Sequence, residues 1–452
     1  MLVAQRLSLL PFLIGLGLLC SSAHGEDLLD AFRQAVANDP VLATAQATQR
    51  VAAAGVPIAR SALLPQLTAN LSLTQYSGGN GSSTTSGNGN IIDTGAGGHV
   101  RERAASANLA QPIVNLASLA TLHAAQATRS SQDETERAAM QALYVRVATA
   151  YFNVLIAEDE LEVSKSYEDA YQQEFAQSTE RFADGLAAAS DVAQSEAYYH
   201  YIKSRRITAE GALKDTKRAL EQITGQPTPV LKRLREELPM QMPEPNKPEA
   251  WVDAAMHTNP SVLASRYVVD ADEHKINAAR AGHAPTLGLA VGYSKYGSWS
   301  NARAGGAGYG PGTTSVGLQL SVPIFSGGLV HAQIGQAISQ RDADEGLVET
   351  QRRQAARDAL NYFNLIVDGV DQVASARAAV AAAGKALESM RAGNDIGTQS
   401  LTNVVVAIQL LAETKTEYTL VRHNFVLNHM LLKQAAGTID LHDLEDVNRL
   451  LE

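Results

Sequence analysis

Cysteine is nearly absent: the 452 residues hold one, Cys20, and aromatic residues make up only 5%. That cysteine falls in an opening segment where Arg6 precedes a 13-residue apolar stretch, Leu7 to Leu19, and Ala23-His24-Gly25 puts small residues at the cleavage-specifying positions. This is the pattern of a secretory signal peptide, and the stretch is too short for a bilayer span of about 20 residues. The mature chain is expected to start at Glu26, with 1–25 removed. Lipidation of Cys20 is the alternative, but Leu19 stands where a lipoprotein signal requires a smaller residue. Once Cys20 leaves, disulfides, zinc-cysteine sites and thiol catalysis are excluded together.

Other absences narrow the function further. A formal net charge of −10 argues against nucleic acid as a partner, since phosphate backbones need a basic surface. Past residue 25 no run approaches 18 apolar residues, so no transmembrane helix is expected, although a secreted chain can still enter a membrane as strands. The 11 histidines show no HExxH spacing, so no zinc site is expected. "GGAGYGPG" at 305–312 breaks the GxGxxG order, and no GxSxG elbow occurs. Glu158, Asp159 and Glu160 are most simply a solvated helix face. No cofactor and no enzymatic activity are expected.

Proline is also scarce where it matters: none lies between Pro112 and Pro227, and none follows Pro323. Long helices are permitted in both places, and an apolar content of 45% with few aromatics suits close-packed helices. Internal matches reveal a duplication. "NDPVLATA" at 38–45 and "TNPSVLAS" at 258–265 place their prolines 220 apart, as are Pro65 and Pro285, while Pro112 and Pro323 are 211 apart, like the "YFN" triplets at Tyr151 and Tyr362. The expected organisation is a first repeat at 26–226, a proline-rich crossover at 227–250, a second repeat at 251–437 and a C-terminal extension at 438–452. Each repeat reads as helix, two strands and a long helical hairpin.

Period-two alternation marks the strands. Leu67, Ala69, Leu71 and Leu73 alternate with polar neighbours, as do Leu287, Leu289, Val291 and Tyr293, then Val316, Leu318, Leu320 and Val322, with a weaker set at Ala105, Ala107 and Leu109. Strands of roughly 9 to 11 residues suit a tilted membrane barrel. The segments 77–98 and 297–312, without periodicity, are expected loops. A soluble sandwich face gives the same alternation, but four strands in two distant hairpins do not make a useful sandwich, and a barrel closes only with about eight or more. Several chains must contribute: two would fill the interior, three would leave a lumen. Each second strand is expected to end in a proline, Pro112 or Pro323, acting as a joint to the helix, with Gly327 and Gly328 relaxing the second joint and Asn115 at the first. Beyond the joints, Leu116 to Ala183 reads as one helix, and the pattern breaks at 181–192 and 391–405. Each copy folds back as a hairpin with its tip near Gly185 or Gly397.

These residues together carry a resemblance. "LAQPIVN" and "LSVPIFSGG" at the joints, "GLAAASD" and "GTQSLTN" at the tips, and "LEQITG" and "LLKQAAG" at the helix ends occur in order and twice. The chain resembles the TolC family of outer membrane efflux proteins. The resemblance implies a mixed fold of membrane β-barrel and long α-helical hairpins, completed as a homotrimer with a twelve-stranded barrel in outer membrane lipid and a twelve-helix periplasmic tunnel. It implies partners at the tips, a periplasmic adaptor protein and an inner membrane transporter. The function implied is an export duct for secreted proteins or small toxic compounds, and Thr438 to Glu452 with no lipidated cysteine is similar to the type I secretion branch. A secreted coiled-coil scaffold or adhesin without a pore is the alternative.

The tip and docking residues implied are Gly185, Leu186, Ser190 and Asp191 in the first copy and Gly397, Thr398, Gln399, Asn403 and Val406 in the second. Family members often carry an arginine and aspartates where this sequence has Gln399, Asn403 and Val406. A closed tip held by neutral hydrogen bonds and apolar contact is therefore expected, involving Asp191, Ser190, Gln399 and Asn403. Asp191 alone is also read as a helix N-cap.

Overall fold

The computed structural model describes residues 25–77, 83–85, 91–93, 99–300 and 308–452. The expected signal segment before residue 25 and most of the expected loops lie outside them. The elements in chain order are α1 (Leu28–Asn38), α2 (Pro40–Ser61), β1 (Gln66–Ser77), β2 (Ser83–Thr85), β3 (Ile91–Asp93), β4 (His99–Val114), α3 (Leu116–Ala183) and α4 (Ala189–Thr224), then α5 (Pro248–Thr258), α6 (Pro260–Arg280), β5 (Thr286–Ser300), β6 (Gly308–Tyr309), β7 (Thr313–Ser321), α7 (Leu329–Asp395), α8 (Leu401–Ala436) and α9 (Leu441–Asn448).

The repeated proline motif near the start of each half has a local cause. Asp39 and Asn259 are N-caps whose side chains accept from Leu42 N at 2.8 Å and from Ser261 N at 2.9 Å. Pro40 and Pro260 follow at the first helical position, where no N–H is missed. Asp39 also receives Arg146 Nη2 at 2.7 Å, which ties α2 to α3.

The main sheet runs β1-β4-β5-β7, all antiparallel, with β6 pairing the far end of β5. Leu67 faces Leu109, Leu109 faces Val291, and Val291 faces Val316, so apolar residues line up in rows across one face. That face is bare, with Leu71 86% exposed and Leu318 69% exposed. No strand residue belongs to any of the three hydrophobic clusters. Among the described residues no second sheet covers it, so the sandwich reading finds no support.

β4 and β5 are 16 and 15 residues long, beyond the expected range, and β5 runs to Ser300 into the segment read as a loop from 297. Cross-strand pairing extends them past the point where alternation fades. Pro112 does not end its strand either: β4 continues to Val114, with a register shift between Pro112 and Val114 that absorbs the missing donor. Pro323 does lie beyond the end of β7.

Helices α3 and α7 are 68 and 67 residues long, about 100 Å each at the usual rise. They fold back into α4 and α8, which pack on them, and α3 also touches α8. The lateral order within one chain is thus α4, α3, α8, α7 toward the tips and α2, α3, α6, α7 toward the sheet. By length and composition α3 contains a stretch apolar enough for a membrane, which the sequence reading did not expect. More than half of that stretch is buried among other helices, and Leu143, Val147, Tyr151 and Phe152 are core residues.

Between Gly225 and Pro248 no helix or strand forms, yet the crossover is clasped. Glu26 N donates to Val230 O at 2.8 Å and Lys232 N to Glu26 O at 3.1 Å, while Arg233 N donates to Glu452 O at 3.0 Å and Glu452 N to Arg233 O at 2.8 Å. The segment expected as an extension past 437 folds into α9, and its Ile439, Leu444, Val447 and Leu451 join the core around α3.

Candidate gate at the helix tips

Both hairpin tips are built by the same backbone device. Gly185 and Gly397 have φ of +75° and +76°, a conformation that side chains with a Cβ resist. Gly185 N donates to Phe182 O at 3.0 Å and Leu186 N to Arg181 O at 2.7 Å; Gly397 N donates to Asn394 O at 3.0 Å and Thr398 N to Gly393 O at 2.8 Å. Each pair is a Schellman closure that satisfies the last carbonyls of a long helix.

The return helices start differently. At the first tip Ala188 is the N-cap and offers no side-chain oxygen, and Asp191, the third helical residue, accepts Ala188 N at 3.3 Å. Asp191 is therefore not the N-cap expected from sequence; it reaches back to the cap position from one turn inside. Ser190 Oγ stands 3.5 Å from Asp191 Oδ1. At the second tip Ser400 caps α8 and accepts Asn403 N at 3.4 Å, while Asn403 Nδ2 donates to Gln399 Oε1 at 2.8 Å. A Cβ added at Gly393 would meet Gln399 Cγ at 2.5 Å, so this glycine makes the notch in which Gln399 lies. Asn403, Val406 and Leu410 form an exposed stripe along α8, with Val406 56% exposed.

The structure brings Gln399 and Asn403 together, and Ser190 and Asp191 together, but among the described residues no hydrogen bond joins the two pairs. At the tips themselves the hairpins are joined by a bond with no sign in the sequence, Thr402 Oγ1 to Gln194 Oε1 at 3.3 Å. Just above it sits a small core of Tyr167, Tyr171, Leu387, Val404, Val405 and Ile408. Tyr171 donates its hydroxyl to Val405 O at 3.2 Å, and Ser178 and Ser195 share a buried bond of 2.6 Å. Glu174 is buried here, 3.9 Å from Arg391 Nε. Burial raises its carboxyl pKa and Asp395 adds to that, while Arg391 pulls it back. Sequence spacing gave no signal for this acid, because it is buried by a helix some 200 residues away.

At the joints, Gly327 and Gly328 have φ of +62° and +84°, and Gly328 is the N-cap of α7. At the first joint Asn115 caps α3 by accepting Ser118 N at 3.0 Å. Sequence alone marked Asn115 as a counterpart of the glycines; its side chain does the capping that Gly328 leaves undone. Ile324 and Phe325, beside Pro323, are almost wholly exposed. Among the described residues no group of three or more His, Cys, Asp or Glu is placed to hold a metal ion.

Known proteins share this arrangement. The profile of the family described as outer membrane efflux protein matches residues 31–226 and 251–438. The chain is 31% identical to the outer membrane protein TolC of Escherichia coli (strain K12), over 98% of this chain and 89% of that protein. It is 28% identical to the proteases secretion protein PrtF of Dickeya chrysanthemi, over 94% of this chain and 90% of that one. The solved CmeC outer membrane channel of Campylobacter jejuni has the same fold, with a TM-score of 0.75 at 16% identity, covering 94% of this chain and 90% of the other.

Proposed function

The chain belongs to the outer membrane efflux protein family, an outer membrane export duct with a periplasmic helical tunnel, and on that premise we propose that it works as a homotrimer gated at its periplasmic tips by uncharged contacts. Members of this family are transport channels. The observation that carries the assembly is that both layers of one chain are open at both sides. The sheet ends at β1 and β7, and the helical layer ends at α2 and α4 on one side and at α7 on the other. Three copies related by a ring join β7 to the next β1 and α7 to the next α4, which closes twelve strands around a lumen.

The gate proposed is the ring of Asn403 and Val406, supported by Gln399, with Asp191 and Ser190 on the first tip. Gly185, Leu186, Gly397 and Thr398 form the outermost surface, where a periplasmic adaptor docks and brings an inner membrane transporter that supplies the energy. The likeness to a protease secretion protein favours secreted proteins as cargo in a type I pathway. The joints at Pro112, Pro323, Gly327 and Gly328 set the angle between barrel and tunnel. The two repeats, the crossover at 227–250 and the segment from 438 divide these tasks.

Single-channel conductance in a planar bilayer tests the gate. The native channel is expected to conduct weakly and steadily with divalent cations leaving it untouched, whereas Asn403→Asp, by setting three carboxylates at the constriction, is expected to be blocked by them at micromolar to millimolar levels. Divalent block of the native channel would move the gate's charge elsewhere, with Asp191 the next residue to change. No conductance after verified insertion would overturn the gate reading altogether.

A further inference from the structure

The apolar face of the sheet carries a basic patch at its far end. Following the register, Leu67, Ala69, Leu71, Leu73 and Gln75 of β1 share this face with Leu109, Ala107, Ala105, Arg103 and Arg101 of β4. On β5 the same face holds Val291, Tyr293, Lys295 and Gly297, opposite Leu109, Ala107, Ala105 and Arg103. Arg101, Arg103 and Lys295 are all exposed. No aspartate or glutamate lies among these positions, although the chain as a whole carries a net charge of −10. Glu102 belongs to the opposite face by alternation, with Thr74 as its partner.

Height along the strands gives the patch its meaning. β1 leaves the helical layer at Gln66, so the far end is the one remote from the tunnel. At about 3.3 Å per residue and a tilt near 40°, Arg103 and Arg101 stand roughly 18 and 23 Å beyond the Gln66 row. An outward apolar band in such barrels is about 25 Å tall, so Arg101 falls at its distal border and Arg103, from just below, reaches that border along its side chain. Lys295 sits one row lower than Arg103, within reach of the same border through its flexible stem. Arg103 and Lys295 also line one groove of 480 Å³, whose other walls include Leu71, Leu73 and Ala105. Gly297, opposite Arg103, adds no side chain to fill it. Arg101 Nε donates to Gln75 Oε1 at 2.9 Å, which holds its guanidinium at the upper edge.

We propose that Arg101, Arg103 and Lys295 form a docking site for the phosphate headgroup of an outer-leaflet glycolipid, whose acyl chain lies along Leu71 and Leu73. The charges match, guanidinium and ammonium against phosphate, and the apolar wall matches the chain. A free phosphate ion would use the cations but gain nothing from the leucines.

The full-length protein in nanodiscs tests this, with a bis-phosphorylated acylated disaccharide lipid as probe and mass spectrometry reading the lipid retained. Each basic group beside an anionic lipid surface is worth about fivefold, so R103Q/K295Q is expected to retain about 25-fold less, and Arg103→Lys to stay close to native. The native protein is expected to lose the same advantage for the lipid after phosphatase treatment, and millimolar inorganic phosphate is expected not to displace the intact lipid. Equal retention by the double variant, with circular dichroism and conductance unchanged, would overturn the proposal. So would equal retention of the dephosphorylated lipid, or displacement by inorganic phosphate, which would mean a site for the free ion. Should the double variant fail to fold, the phosphatase comparison on the native protein decides alone. Conductance is read in parallel, so a failure here leaves the duct itself standing.

Discussion

Helices α4 and α8 are each 36 residues long and occupy corresponding places in the two repeats, yet α8 buries twelve residues and α4 only four. Counting back from the matched caps Gly225 and Gly437, the wholly buried His423 of α8 corresponds to Gly211 of α4, where an added Cβ would meet nothing within 4 Å. The "YFN" triplets diverge the other way round, with the first-repeat member buried and the second partly exposed. Tyr151 is buried and donates its hydroxyl to Glu26 O and Lys232 O, both at 2.9 Å, whereas Tyr362 is only partly buried and borders a surface cavity with Asp358. Duplication copied the backbone, but the crossover and the two end segments fold against the central helices of the layer, α3 from the first copy and α8 from the second. Their counterparts, α7 in the second copy and α4 in the first, keep the same lengths with fewer partners inside the chain, and under the proposed assembly they are the lateral faces that meet neighbouring protomers.

The largest effect that separates the copies is set by acid. Burial holds the His423 imidazole down, to about 4 from its ordinary 6.5, with Arg422 acting the same way and the hydrogen bond to Thr419 O opposing. The folded pKa lies below the unfolded one, so the stability linked to neutral His423 is fully present above pH 6.5 and is lost as pH falls to 4, about 3 kcal/mol in all. Denaturant midpoints at pH 7 and pH 4.5 should diverge for the native protein and much less for His423→Gln. Equal divergence would assign the acid sensitivity to other groups.

A middle effect comes from the tyrosines. Tyr151→Phe removes the hydroxyl that Lys232 O and Glu26 O share, Glu26 O keeping Lys232 N as a donor, and should cost about 1–3 kcal/mol, while Tyr362→Phe should stay within about 0.5 kcal/mol. Thermal melts of the two variants side by side measure the difference, and similar values would mean the repeats are energetically alike. The smallest effect is expected at Gly211→Ala. In a solvated helix face it should stabilise the chain by about 0.5–1 kcal/mol. Loss of trimer on mild electrophoresis would instead show that a neighbouring helix packs against Gly211 too closely for a methyl group.

Much of this plan was legible in the residues themselves. The helix ends at Gly225 and Gly437, the tips at Gly185 and Gly397, and the single helix from Leu116 to Ala183 are local events, written in glycine positions and proline absence. The alternation of Leu67 to Leu73 fixed a strand because one face must stay apolar. What stayed hidden depends on partners distant in sequence. Pro112 remains within β4 only because β5 lies alongside and a bulge takes up the mismatch. Asp191 looked like a cap because its spacing from Gly185 allows either position. The Gln194 to Thr402 bond and the buried Glu174 were invisible, since nothing near them in sequence announces the other hairpin. The segment after Gly437 read as an appendage because its apolar residues, Ile439, Leu444, Val447 and Leu451, show their value only against α3.

The clasp around the crossover has a consequence for how the chain acquires its shape. Glu26, the stretch from Val230 to Arg233, and Glu452 meet beside Tyr151, although each lies some 200 residues from the next. Contacts between such distant segments form slowly, because the entropy of closing long loops must be overcome before they reward it. The long hairpins, made of local contacts, are free to coil early. The fastener is therefore expected to set last, with the ends of the chain and its middle locking together only after the hairpins have formed.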